Sequence, residues 1–206
     1  MKTIVCYGDS NTWGYEPKTD TRLLWEERWT GILAKLLGEE YHMEEHGFCG
    51  RTTACDSEME PYVNGLESAY VCAEEQSPFD IAIIMLGTND CKDMYDVSPL
   101  VIAKGIGCIG QIFKEKGNHV ILISPVCLKN MKQSPFAEEF GIGAEEKSRK
   151  LHGFIKEIAQ INHYGYMDAQ LYAQAGFYDG IHLDRVNHKK LAAAIYEKLL
   201  EMKGVL

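Results

Sequence analysis

The sequence lacks the features that would place it in a membrane, outside the cell or on nucleic acid. No apolar run approaches the ~18–20 residues needed to span a bilayer. The opening stretch Met1-Lys2-Thr3-Ile4-Val5-Cys6-Tyr7 reaches Gly8-Asp9 well short of the ~7–15 apolar residues of a secretory signal core. The expected compartment is therefore the cytoplasm. Seven cysteines (Cys6, Cys49, Cys55, Cys72, Cys91, Cys108, Cys127) are an odd number with no C-x-x-C pair. That pattern argues against a disulfide framework and a zinc site, and for small buried hydrophobes in a reducing compartment. Lysine and arginine form no dense stripe and the formal net charge is −9, so neither nucleic acid nor an anionic membrane is an expected partner. Repeats, low-complexity tracts and linkers are missing too. The 206 residues are read as one domain, residues 1–206, long enough to bury a substantial core.

What is present is alternation. Ile4–Tyr7, Tyr41–Glu45, Asp80–Leu86 ("DIAIIML"), His119–Ser124 ("HVILIS") and Tyr164–Asp168 read as five strands, the third a continuous apolar run suited to the middle of a parallel sheet. Between and after them lie helical-period stretches over Leu23–Leu37, Leu66–Glu75, Ser98–Lys116, Glu145–Asn162 and Leu191–Leu200. Ser98-Pro99 supplies a cap followed by proline in the first turn. Strand–helix alternation of this kind predicts an α/β/α sandwich, a parallel sheet covered on both faces with right-handed crossovers. Cys127–Gly143 has no clean period and is expected to be a long loop that, with Ala54–Gly65, shapes a pocket.

In such sheets ligands bind beyond the carboxyl ends of the strands. The strand ends here are Gly8-Asp9-Ser10-Asn11, Gly47-Phe48-Cys49-Gly50-Arg51-Thr52-Thr53, Gly87-Thr88-Asn89-Asp90 and Ser124-Pro125. Ser10 is the candidate nucleophile, and a serine hydroxyl needs a neighbouring base. Of seven histidines, His182 in "YDGIHLD" follows the fifth strand, with Asp179 three residues earlier, placed to hold its tautomer and stabilise the imidazolium. The Ser10 and Gly50 N–H groups and the Asn89 amide are suitable donors for an oxyanion. Asp9, Asn11 and Trp13, which flank Ser10, are the candidates for substrate contacts.

The ordered set "GDSN", "HGFCGRTT", "GTND" and "DGIH" resembles the four blocks of the SGNH hydrolases, the GDSL-type lipases and esterases, over nearly the whole chain. Two positions depart: Asn11 stands where the family name has leucine, and Glu45 where many members have asparagine. By motif, the resemblance implies Ser10 as nucleophile, Asp179 and His182 as the rest of a triad, and Ser10, Gly50 and Asn89 as the oxyanion hole. "GDSNTWGYEP", "RWTGILAKLLG", "EEHGFCGRTT", "IIMLGTNDCK" and "DGIHL" look most like the arylesterase/acyltransferase branch. That likeness implies a flavodoxin-like five-stranded sheet, a small-molecule short-chain ester as substrate, and no metal or organic cofactor. Trp- and Tyr-rich loops make a homo-oligomer an expectation.

Rival readings exist. "GIGCIG" at Gly105–Gly110 matches G-x-G-x-x-G, yet it falls inside a helical run rather than after a strand, which counts against a nucleotide-binding oxidoreductase. A non-catalytic flavodoxin-like binding module is a second rival. Cys49 has no evident base to make it a thiol nucleophile, and Asp9, Asp56, Asp90 and Asp93 are spread over separate turns without a histidine pair, unlike a metal cluster. No G-x-S-x-G elbow is present, so the α/β-hydrolase fold is not indicated. Within the esterase reading, carbohydrate O-acetylesterase and thioesterase or lysophospholipase stand as alternatives.

Overall fold

A computed structural model describes residues 1–202. Five strands make one parallel sheet: β1 (Lys2–Gly8), β2 (Tyr41–Gly47), β3 (Phe79–Met85), β4 (Gly117–Ser124) and β5 (Gly165–Asp168), in the order β2-β1-β3-β4-β5. This is the doubly wound flavodoxin-like order, which reverses at β1 and opens a crevice above β1 and β3. The register brings the strand ends level, with Gly8 beside Gly47 on one side and Met85 on the other.

The alternation of the strands sorts their side chains onto two cores. Val5, Tyr7, Ala82, Ile84, Val120 and Leu122 face α2 (Gly65–Gln76), α3 (Pro99–Lys116) and α4 (Ala144–Ile161). Ile4, Cys6, Ile81, Ile83, Ile121 and Ile123 face α1 (Trp29–Leu37) and α5 (Arg185–Met202). The central strands are buried on both sides, which explains their unbroken apolar sequence. At the sheet edge β2 reads "YHMEEHG" and is only half-buried, so its period is weak.

Two helices differ from their expected bounds. The first starts at Trp29 rather than Leu23, because Trp25–Glu27 is a 3₁₀ turn and Arg28 is extended (φ −81°, ψ 149°). The Trp25–Trp29 spacing mimics one helical face, but Trp25 lies outside the core under the Arg28 guanidinium, 5.2 Å from its ring centre. The last helix begins at Arg185 rather than Leu191, held by Asp184, whose carboxylate accepts the Asn187 N–H at 2.9 Å. A small two-stranded ribbon, Tyr15–Glu16 against Thr21–Arg22, has no counterpart in the expected elements. The span 127–143 is the expected loop with short helical pieces, Met131–Gln133 and Ala137–Phe140. Gly105, Gly107 and Gly110 lie inside α3, where Gly105 packs against Thr53 and Gly110 against the Tyr164 ring; they form no turn between a strand and a helix. Among the described residues no helix is long and apolar enough to cross a membrane.

Candidate active site

The turn after β1 shows how the rim is assembled. Asp9 caps a single helical turn, Ser10–Trp13, its carboxylate accepting the Asn11 N–H at 2.9 Å. That turn lies directly on the end of β2: a Cβ on Gly47 would come within 2.2 Å of the Trp13 nitrogen, so only glycine admits the approach. Ser10 is therefore raised at the strand end, 5% exposed.

Residue 182 reaches it from the far end of the chain. His182 Nε2 lies 2.8 Å from Ser10 Oγ, and Nδ1 lies 2.6 Å from Asp179 Oδ2. The other Asp179 oxygen accepts the backbone N–H of Ile181 at 2.9 Å and of His182 at 3.0 Å, so the three-residue spacing closes into a turn. Asp179 is buried, which raises its carboxyl, but the His182 bond and charge together with those two amides outweigh burial and hold it below the usual range. An ionised Asp179 fixes the proton on Nδ1 and leaves Nε2 as the acceptor toward Ser10, the arrangement needed to take a hydroxyl proton. The imidazole is packed between Tyr15 and Phe136, with ring centres 4.6 and 6.1 Å away.

Two further turns complete the rim. Gly50 sits at φ +81°, a left-handed conformation that suits glycine and directs the loop toward Ser10. Asn89 donates one amide hydrogen to the Arg51 carbonyl at 3.0 Å, which orients the side chain and leaves its second hydrogen for the cleft. Asp90 accepts from Thr53 N–H and its hydroxyl, tying the second and third turns together. The Arg51 guanidinium, buried over the Tyr7 ring at 4.2 Å, donates to the carbonyls of Gly8, at 2.7 Å, and of His46. Ser10, Gly50, Asn89 and His182 all line one cleft of about 260 Å³.

The other sequence candidates are placed differently. Asp9 is fully buried and does not line the cleft; burial pushes its carboxyl up to about 6, against the Asn11 bond and the His182 charge. Asn11 is also buried, and its amide brackets the histidine: Oδ1 accepts Leu183 N–H at 2.8 Å and Nδ2 reaches the Ile181 carbonyl at 3.4 Å. Asp9 and Asn11 thus build the turn, and neither lines the cleft. Trp13 does not line the cleft either, since its ring is drawn to the Arg22 guanidinium, 5.1 Å away. Tyr15, two residues on, lines it instead. Cys49 borders the cleft with a thiol that burial, then the Asp9 charge, raises to about 11. Such a thiol is protonated at neutral pH. Glu45 engages Arg22, Arg28 and Thr30, so the glycines of the second turn do not depend on it.

Sequence reasoning did not find Tyr15, Phe136, Lys92, Glu60 or Glu139 in the cleft. Lys92 lies within the third block, "GTNDCK", two residues past Asp90, and could have been suspected. Glu60 and Glu139 lie in the two aperiodic loops, where no local pattern marks a side chain that turns inward.

The profile of the GDSL-like lipase/acylhydrolase family matches residues 6–189. Among solved structures, Est24, a carbohydrate acetylesterase from Sinorhizobium meliloti, is 32% identical, covers 98% of this chain and 100% of its own, and superposes with a TM-score of 0.93. The aryl esterase of M. smegmatis is likewise 32% identical, over 98% of this chain and 99% of its own, at 0.92. A G-D-S-L family member from Veillonella parvula, 17% identical over the full length of both chains at 0.73, shares the fold. No match was found among curated protein sequences.

Proposed function

The chain belongs to the GDSL-like lipase/acylhydrolase family and is a carboxylic ester hydrolase; on that premise we propose that it cleaves short-chain acyl esters through an acyl-serine intermediate, with Ser10, His182 and Asp179 as the triad. The observation that carries this reading is the unbroken hydrogen-bond relay from Ser10 Oγ through His182 to Asp179.

The chemistry follows from that relay. As Ser10 Oγ attacks the ester carbonyl, His182 Nε2 accepts its proton, and Asp179 stabilises the imidazolium. The carbonyl oxygen gains negative charge facing the Ser10 and Gly50 N–H groups and the free Asn89 amide hydrogen. Neither N–H makes an internal bond among the described residues. Donors already oriented at that point cost no reorganisation when charge develops. His182 returns its proton to the departing alkoxide, leaving Ser10 acylated. Water, activated by the same imidazole, then attacks and releases the acid; an alcohol in its place gives acyl transfer.

A cleft of about 260 Å³ is smaller than the ~300–1,000 Å³ that holds drug-sized ligands, which favours acetyl to butyryl groups. The test is a fluorophosphonate probe with peptide mapping, together with p-nitrophenyl esters of increasing chain length. Labelling at Ser10 and a rate maximum at acetyl to butyryl are expected. Labelling elsewhere, or turnover confined to long chains, would overturn the reading.

A further inference from the structure

The three donors for the oxyanion stand on three separate turns, and one buried side chain joins them. Arg51 is 8% exposed, and its guanidinium meets only carbonyls and aromatic rings; no carboxylate pairs with it among the described residues. A cation buried without a counter-ion is costly, and an apolar side chain would cover the same rings without that cost. Nη1 has two hydrogens and both go to strand ends, one to the Gly8 carbonyl at 2.7 Å and one to the His46 carbonyl. The guanidinium lies over Tyr7, 4.2 Å from the ring centre, and over Phe48 at 5.6 Å. The Gly8 carbonyl is the meeting point, since it also accepts the Phe48 N–H at 3.1 Å. Phe48 and Arg51 are the first and last residues of the tight turn that contains Gly50. The Arg51 N–H donates to the Phe48 carbonyl at 3.1 Å, and Gly50, at φ +81°, holds the third position. Both ends of the turn that presents the Gly50 N–H are thereby fixed to the residue two before Ser10. The Arg51 carbonyl in its turn receives the Asn89 amide at 3.0 Å.

We propose that Arg51 is a positioning residue for ester hydrolysis: its guanidinium clamps the second turn onto the first and so aligns the Gly50 and Asn89 donors with the Ser10 N–H before charge develops. The inference rests on the esterase reading above, and Arg51 itself does not line the cleft. Oxyanion donors act on the charge of the transition state, and a misplacement of about 1 Å can cost ~10²-fold. Loss of the clamp therefore falls on kcat. A lysine keeps the charge but lacks the planar face for the Tyr7 ring and the rigid fork of donors. Substitution spares the backbone bonds of residue 51, including the one to Asn89, and removes only the clamp.

The test is Arg51→Lys, alone and combined with Asn89→Ala, assayed with p-nitrophenyl acetate and with trifluoroacetone as inhibitor. The carbonyl carbon of that ketone bonds Ser10 Oγ, the serine proton passes to His182, and the ketone oxygen becomes an oxyanion in the hole. With Asn89 in place, Arg51→Lys is expected to lower kcat ~10²-fold with KM little changed, and to weaken trifluoroacetone by the same factor as kcat/KM. In the Asn89→Ala background the same substitution should cost less than about tenfold, because the two residues serve one oxyanion. Equal costs in both backgrounds, a change confined to KM, or undiminished inhibition by trifluoroacetone overturns the proposal while the esterase reading stands. Arg51→Gln is measured beside it; if neither variant gives folded protein by circular dichroism, Arg51 serves the fold alone and the proposal fails. Wild-type protein that neither turns over the ester nor labels at Ser10 with a fluorophosphonate overturns both readings.

Discussion

The body of the sheet and its carboxyl rim are buried to the same degree by opposite kinds of residue. Ile4, Ile81 and Ile83 are fully buried in the body; Asp9, Thr12, Thr52 and Asp90 are fully buried at the rim. Apolar side chains require only matching volume, and a core accepts many that fill it. Buried polar groups each require a particular partner, and leaving one unpaired costs ~1–3 kcal/mol. The rim meets most of that demand by pairing across turns, Asp90 with Thr53, Asn89 with Arg51 and Asn11 with Leu183, and within a turn, Asp179 with His182, while Asp9 Oδ2 and Thr12 Oγ1 stay unpaired. Stability is therefore spread over the body, while geometry is concentrated at the rim.

The sharpest way to separate the two regions is one substitution in each. Ser10→Ala should lower kcat by about 10⁶ with little change in the urea midpoint. Ile83→Ala should cost ~2–5 kcal/mol of stability and leave kcat per folded molecule nearly intact. A Ser10→Ala protein that keeps measurable ester turnover would break the contrast. Next comes Asp179→Asn. Its amide would donate to Nδ1, placing the imidazole proton on the nitrogen that faces Ser10, and kcat is expected to fall ~10⁴-fold. Steady-state rates with p-nitrophenyl acetate read this directly, and a loss under tenfold would remove Asp179 from the relay.

Titration offers a third test, since two buried groups respond to acid oppositely. Burial lowers His188, beneath α1, from 6.5 to about 4, so the fold prefers its neutral form; stability from this residue is complete above 6.5 and is lost as pH falls toward 4. Burial raises Asp9 from 3.8 to about 6, so the fold prefers the protonated acid; its contribution is complete below 3.8 and is lost as pH rises to 6. Each shift corresponds to on the order of 3 kcal/mol. The two slopes oppose one another between pH 4 and 6. His188→Gln should leave stability falling with rising pH across that window, and Asp9→Asn should leave it rising. Urea midpoints taken from pH 4 to 7 distinguish these outcomes from a pair of unchanged profiles.

The smallest effect is expected at Asn11. Asn11→Ala releases the bracket on residues 181 and 183, so kcat should drop about tenfold, the order of one or two lost hydrogen bonds, with KM little altered. A change confined to KM would instead make Asn11 a substrate contact.

The legibility of this molecule in its sequence follows the same division. The three central strands could be read because burial on both faces leaves a continuous apolar run, and α3 because Ser98-Pro99 starts it. The weaker readings came where a local pattern had two causes. Trp25 and Trp29 have helical spacing, yet one covers an arginine and the other fills the core. Asp9, Asn11 and Trp13 adjoin Ser10 in sequence but do not line the cleft, whereas Tyr15 does. Glu60 and Glu139 sit in aperiodic loops and meet Lys92 across the fold, a pairing no local pattern predicts.

By itself the sequence determined the alternation of elements and which residue types end each strand, since apolar period and turn chemistry act between residues a few positions apart. Only the tertiary structure decided which histidine meets Ser10 across 172 positions, and that Asn11 clamps it there. It also decided that one oxygen of Glu60 faces inward without a partner. Those outcomes depend on the strand order and level register of the sheet, which bring distant turns together once the apolar faces have been buried.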